Sequence, residues 1–162
     1  MNNSTHISSR FPTPPHLMVR PSILIVGPFI RNKRRTKLIL ELIRDLQILQ
    51  QTIHHLHLIL AGPGATDCFK EQSKTSLILE DSEENIESYV FYSNALIHLR
   101  ANSVLQTLAI HYANRINCPV IKYPLFRWGR NENEFLDTVT STILSPSNLL
   151  TERMRCSSQL NT

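Results

Sequence analysis

An apolar run of strand length, Ser22-Ile-Leu-Ile-Val26, stops at Gly27 and gives way to a basic loop and then to a helical pattern. A strand this apolar on both faces cannot be an exposed antiparallel edge and belongs inside a sheet covered on each side. A strand, a glycine turn and a helix form the unit from which phosphate-binding α/β domains are built. The unit constrains architecture more than chemistry, because the chain has neither the Gly-x-Gly-x-x-Gly nor the P-loop spacing.

The rest of the chain repeats this alternation. Thr36 to Leu49 reads as an amphipathic helix, with Leu38, Leu42, Leu46 and Leu49 on one stripe, Ile39 and Ile43 beside it, and Thr36 at the cap. Leu56 to Ala61 is a second strand stopped by Gly62-Pro63-Gly64, and Leu77 to Leu79 a short third one. Asp81-Ser-Glu-Glu84 predicts the start of a helix running to Tyr92, with acidic residues well placed against the helix dipole. Ala95 to Leu99 is the fourth strand, Ser103 to Arg115 a helix capped by Asn102 or Ser103, and Pro119 to Lys122 the fifth strand. Asn131 to Leu144 is a last helix, ended by Pro146. Strands alternating with helices predict an α/β, doubly wound, Rossmann-like parallel sheet of about five strands with helices on both faces. The expected organisation is a disordered tail over 1–20, one domain over 21–146 and a polar tail over 147–162.

In such sheets ligands bind outside the carboxyl ends of the strands. The expected rim is therefore Gly27 to Lys33, Gly62 to Thr66, Glu80 to Ser82, Arg100 to Ser103 and Tyr123 to Trp128. The net charge is +4, and much of the excess lies in Arg31, Lys33, Arg34, Arg35 and Lys37. That cluster reads as a solvated face, a phosphate-contacting loop, or an RNA or membrane-surface patch. Hydrophobic residues make up 41%, enough for a packed core, yet no apolar stretch approaches the roughly 18–20 residues that span a bilayer. No signal-peptide block opens the chain, so the expected location is cytoplasmic, without a transmembrane segment.

The remaining constellations are weaker. Cys68, Cys118 and Cys156 fit neither a disulfide framework nor a zinc spacing. His55 and His57 have strand spacing for a metal pair but no third ligand nearby, so neither metal nor cofactor is expected. Phe126 and Trp128 with Tyr123 form an aromatic loop at the ligand end, packed in itself, able to stack a base, or covering an interface.

The order of these motifs resembles the C-terminal, nucleotide-sugar-binding half of GT-B glycosyltransferases of the group 1 (family 4) type. Ile23-Leu-Ile-Val-Gly27 followed by Lys33 is similar to that family's first strand, glycine and loop lysine. Leu58-Ile-Leu-Ala-Gly62-Pro-Gly64 is similar to its second strand and turn, and Ser82-Glu-Glu-Asn-Ile86 through Ser93-Asn94-Ala95-Leu-Ile97 to its helix leading into the fourth strand. Ala113 through Asn117-Cys118-Pro119-Val120-Ile121 is similar to its small-residue helix end and Pro-Val strand. The resemblance covers roughly Ser22 to Ser145. It implies a nucleotide-diphosphate sugar as ligand, with Gly27, Lys33, Ser103 and Arg100 around the diphosphate.

The chain departs from the family in places that matter for chemistry. Pro28 stands where the family holds the diphosphate with an arginine. The family also has glutamates at the start of the crossover helix and within it. Aligned back from Pro119 they fall on Val104 and Tyr112; aligned forward from Asn94 they fall on Ser103 and His111. A buried Val104 or a Tyr112 cannot accept two ribose hydroxyl hydrogen bonds; Glu80 and Asp81 read either as a replacement for that carboxylate or as solvating or capping the next helix. Asn102, Val104, His111 and Tyr112 thus form the implied donor-site wall, and no catalytic residue is assigned. The implied function is nucleotide-sugar binding, with hexosyl transfer impaired or dependent on a separate acceptor-domain protein. The alternatives are a non-catalytic relic acting as an interaction subunit and, last, a basic nucleic-acid-binding module, which lacks interleaved aromatics and any recognised motif.

Overall fold

The computed structural model of the chain describes residues 21–72, 77–99, 103–123 and 130–145. Five strands form one sheet: β1 (Ser22–Val26), β2 (His57–Ala61), β3 (Leu77–Glu80), β4 (Ala95–His98) and β5 (Val120–Lys122). All pairings are parallel, and the strand order is β3-β2-β1-β4-β5. The helices are α1 (Lys33–Thr52), α2 (Ala65–Phe69), α3 (Ile86–Tyr92), α4 (Val104–Arg115) and α5 (Arg130–Leu144), with a 3₁₀ turn at Lys70–Gln72 after α2. This is the doubly wound, Rossmann-like arrangement expected from the alternating pattern. The chain runs outward from β1 through β2 to β3, then crosses back to β4, so the winding reverses between β1 and β4.

The period-two alternation of the central strands divides the core into two layers. Ile23, Ile25, Leu58, Leu60 and Ile97 pack beneath α1, α2 and α5, where Leu42, Leu46, Phe69 and Val139 meet them. Leu24, Val26, Ile59, Ala61 and Leu96 pack against α3 and α4, where Val90, Phe91, Ala109 and Ala113 complete the layer. Every residue of β1 and β2 is buried, which is why their sequences show no polar face. Deleting a buried Leu or Ile side chain in such a layer costs about 2–5 kcal/mol.

Several boundaries differ from the sequence reading. α1 begins at Lys33, earlier than Thr36, because the Asn32 side chain caps it by accepting the Arg34 N–H at 3.0 Å. The polar connection after Gly64 contains α2. Asp81 to Glu84 is not the first turn of a helix, since α3 begins at Ile86. Instead Asp81 accepts the Thr66 N–H at 2.9 Å, and Glu80 accepts the Ser82 N–H at 3.0 Å and the Tyr89 hydroxyl at 3.1 Å. These carboxylates tie loops and helix together. Tyr123 is a core residue, 1% exposed, edge-on to Phe135 at 5.1 Å and donating its hydroxyl to Asp45 at 3.4 Å. The expected aromatic partners Phe126 and Trp128 lie outside the described residues, as do both tails.

Candidate functional site

The carboxyl ends of the strands are joined into one rim by hydrogen bonds between loops. Gly27 donates its N–H to the Ala61 carbonyl at 2.8 Å, Phe29 to Pro63 at 2.8 Å, and Gly62 to Glu80 at 2.8 Å. Farther along, Tyr123 donates to the His98 carbonyl at 3.0 Å. These contacts continue the parallel ladder past the last strand residue and fix the loops before any ligand arrives.

At the reversal point between β1 and β4 the approach is closest. Ser103 caps α4 by accepting the Gln106 N–H at 3.3 Å, and its hydroxyl reaches the Gly27 carbonyl at 3.3 Å. Ser103-x-x-Gln106 has the spacing of a capping box, in which the Gln side chain would return to the cap. Here the buried Gln106 amide instead donates to the Val26 carbonyl at 3.1 Å and bolts α4 to the end of β1. Gly62, at φ 139°, lies against both: a Cβ there would come within 3.1 Å of the Gly27 Cα and 3.3 Å of the Leu105 Cδ2. Two turns and a helix tip therefore share a space that only a glycine backbone can occupy. Gln106 was not anticipated as part of this junction, although its position three residues after a Ser cap was a readable signal.

The expected site residues divide into groups. Gly27 and Ser103 are brought into contact. Lys33 lies at the start of α1, exposed, on a cleft of about 400 Å³ that it shares with Arg31, Thr36, Lys37, Asp67 and Cys68. Arg31 donates to the backbone carbonyl of Asp67 at 3.5 Å across this cleft. The α2 residues Asp67 and Cys68 were missed as cleft lining, because a helix this short leaves no periodicity to read. Val104, expected to be buried, is 80% exposed. Leu105 and Ala109 take the inner side of α4, which turns Val104 to solvent and leaves the helix tip open. His111 is exposed, about 12 Å along the helix from Ser103 at 1.5 Å per residue. Tyr112 is half-buried and packs against the layer beneath α3 and α4. Arg100 and Asn102 lie outside the described residues.

The electrostatics of the rim follow from these contacts. The Thr66 hydroxyl and N–H, hydrogen-bonded to the carboxylate, hold Asp81 below the usual carboxylate range. Burial first, then the neighbouring Glu80 charge, pushes the Tyr89 hydroxyl well above its ordinary value, so it remains a neutral donor to Glu80. Among the described residues no three or more His, Cys, Asp or Glu side chains are grouped to hold a metal ion. His55 sits in a turn at φ 65°, whereas His57 is buried in β2. Among the described residues no helix is long and apolar enough to cross a membrane.

No protein-family model matches this sequence, and no curated protein matches it significantly.

Proposed function

We propose that this chain is a glycosyltransferase group 1-like module that binds a nucleotide-diphosphate sugar at the carboxyl rim of its sheet. Hexosyl transfer by it is impaired or depends on a separate acceptor-domain protein. The observation that carries the reading is the 3.3 Å contact between Ser103 and the Gly27 carbonyl. It puts the first glycine turn and the tip of the crossover helix side by side at the winding reversal, where doubly wound sheets bind ligands. The exposure of Val104 supports an accessible helix tip.

In this reading the leaving diphosphate is met by the N–H groups at the start of α4 and by the Lys33 ammonium, with Arg100 as a further cation. Cations and helix-terminal donors stabilise the charge that builds on a departing diphosphate. The ribose has no matching carboxylate, since Ser103, Val104, His111 and Tyr112 occupy the positions that resemble the family's glutamates. Losing a charged hydrogen-bond partner costs about 1.5–3 kcal/mol, or a tenfold to hundredfold loss of affinity. Weak donor binding and slow or absent transfer follow.

A second reading, an interaction subunit without catalysis, draws on the outer face of α4. Val104 and Leu108, one turn apart, are 80% and 49% exposed, and Val104 stands where one alignment of the resemblance calls for a glutamate. Titration calorimetry with UDP-glucose and GDP-mannose decides between them. Heat from either donor that is lost in Lys33→Ala supports the first reading; an absence of heat with both removes it in favour of the second.

A further inference from the structure

The loop entering α1 and its first turns carry Arg31, Lys33, Arg34, Arg35 and Lys37, and all of them are exposed. The first turn of α1 has no acidic residue. Asp67 is the carboxylate-bearing residue on the adjoining cleft, and it meets Arg31 through its backbone carbonyl. Cations crowded at the positive end of a helix repel one another and the dipole. The arrangement therefore weakens the free domain, and an anionic surface would offset that cost.

The apolar neighbour of the cluster narrows the choice of anion. Ile30, directly before Arg31, is 55% exposed, whereas Phe29 is 5% exposed and stacks edge-on against Phe69 at 5.6 Å. A patch that reads single-stranded nucleic acid offers aromatic faces for the bases. This one turns its aromatic ring inward and its aliphatic side chain outward. Basic residues around an exposed aliphatic side chain match a lipid surface with anionic headgroups, where the cations meet phosphates and the apolar group enters the acyl boundary.

We propose that this face docks the domain on an anionic membrane surface, with Arg31, Arg34, Arg35 and Lys37 at the headgroups and Ile30 inserted between them. The inference goes beyond nucleotide-sugar binding and does not depend on it.

Co-sedimentation of the full chain with phosphatidylcholine vesicles, with and without phosphatidylserine, tests the proposal. Binding is expected with the anionic vesicles and should weaken steeply as salt is raised. Combining Arg34→Ala, Arg35→Ala and Lys37→Ala should lower partitioning on the order of a hundredfold, from the contribution of each basic residue near a charged surface. Ile30→Ser should lower it roughly fivefold to tenfold while leaving the charge unchanged. Circular dichroism of both variants checks that the fold is retained. Equal binding to neutral vesicles, or anionic binding unaffected by the triple substitution, would overturn the proposal. So would capture of a poly-uridine oligonucleotide without capture of vesicles. Loss of vesicle binding with donor heat intact sinks this inference alone; loss of donor heat with vesicle binding intact sinks the nucleotide-sugar reading alone.

Discussion

The winding reversal and the entrance to α1 lie on the same rim and are built in opposite ways. At the reversal, Gly27, Gly62, Ser103 and Gln106 are close-packed and joined by hydrogen bonds, with buried side-chain amide and backbone carbonyl in direct contact. At the α1 entrance, Lys33, Thr36 and Lys37 line an open cleft of about 400 Å³, and the basic side chains stand in solvent. Substitutions should therefore act on stability in the first region and on ligands in the second. The glycines that resemble a ligand-binding motif serve first to let two turns and a helix meet.

The largest effect is expected at Gly64, which sits at φ 86° with the Phe29 carbonyl oxygen where a Cβ would go. Gly64→Ala should lower stability by roughly 3 kcal/mol or more, from left-handed strain plus overlap with backbone that cannot yield. A urea midpoint unchanged from that of the parent would show that the close-packed glycine turns of this rim carry little of the fold. Gln106→Ala should cost about 2 kcal/mol, because it deletes a buried amide and its bond to the Val26 carbonyl. The same urea series reads this, and a loss under about 0.5 kcal/mol would mean that the bolt between α4 and β1 carries little.

Cations at the α1 entrance should behave in the opposite sense. Arg34→Glu is expected to raise stability by about 0.3–1 kcal/mol at low ionic strength, since it replaces a repelled charge with one the helix dipole favours. Thermal melting at low and high salt checks both the sign and its screening; destabilisation would show that Arg34 supports the fold. The smallest effect concerns acid. The lowered pKa of Asp81 means that its contribution is present above the ordinary carboxylate range and is lost as pH falls through the lowered value. Because this carboxylate is largely exposed, the contribution is a few tenths of a kcal/mol. Asp81→Asn should flatten the acid limb of the stability curve by that amount, and identical acid limbs would show that the Thr66 contact is without weight.

Much of the architecture was legible because the strands are buried on both faces. Ser22 to Val26 reads as a strand and is one, with the same bounds. Asn102 and Ser103 were both readable as caps, because a short polar side chain before an apolar period has a specific physical role, and Ser103 is the one that caps α4. The start of α1 was misread because Lys33-Arg34-Arg35 opposes the dipole, which makes a real first turn look like loop. The acidic stretch after β3 misled for the converse reason: Asp81 favours a helix start locally, but tertiary partners, Thr66 for Asp81 and Tyr89 for Glu80, claim the carboxylates. Val104 shows a further limit. An apolar residue at a helix tip is predicted to be inside, yet which side faces the sheet is decided by Leu105 and Ala109. Lys33 could be singled out from the sequence, but its cleft could not, since the opposite wall comes from α2, a helix too short to leave a pattern.

The most direct test is an amide chemical-shift titration of isotopically labelled protein with UDP-glucose. The account predicts saturable shifts at Gly27, Lys33, Ser103 and Val104, with the amino-end residues Ser22, His57 and Asn94 unmoved. Shifts confined to other surfaces, or none at donor concentrations in the millimolar range, would contradict the placement of a diphosphate site at this rim.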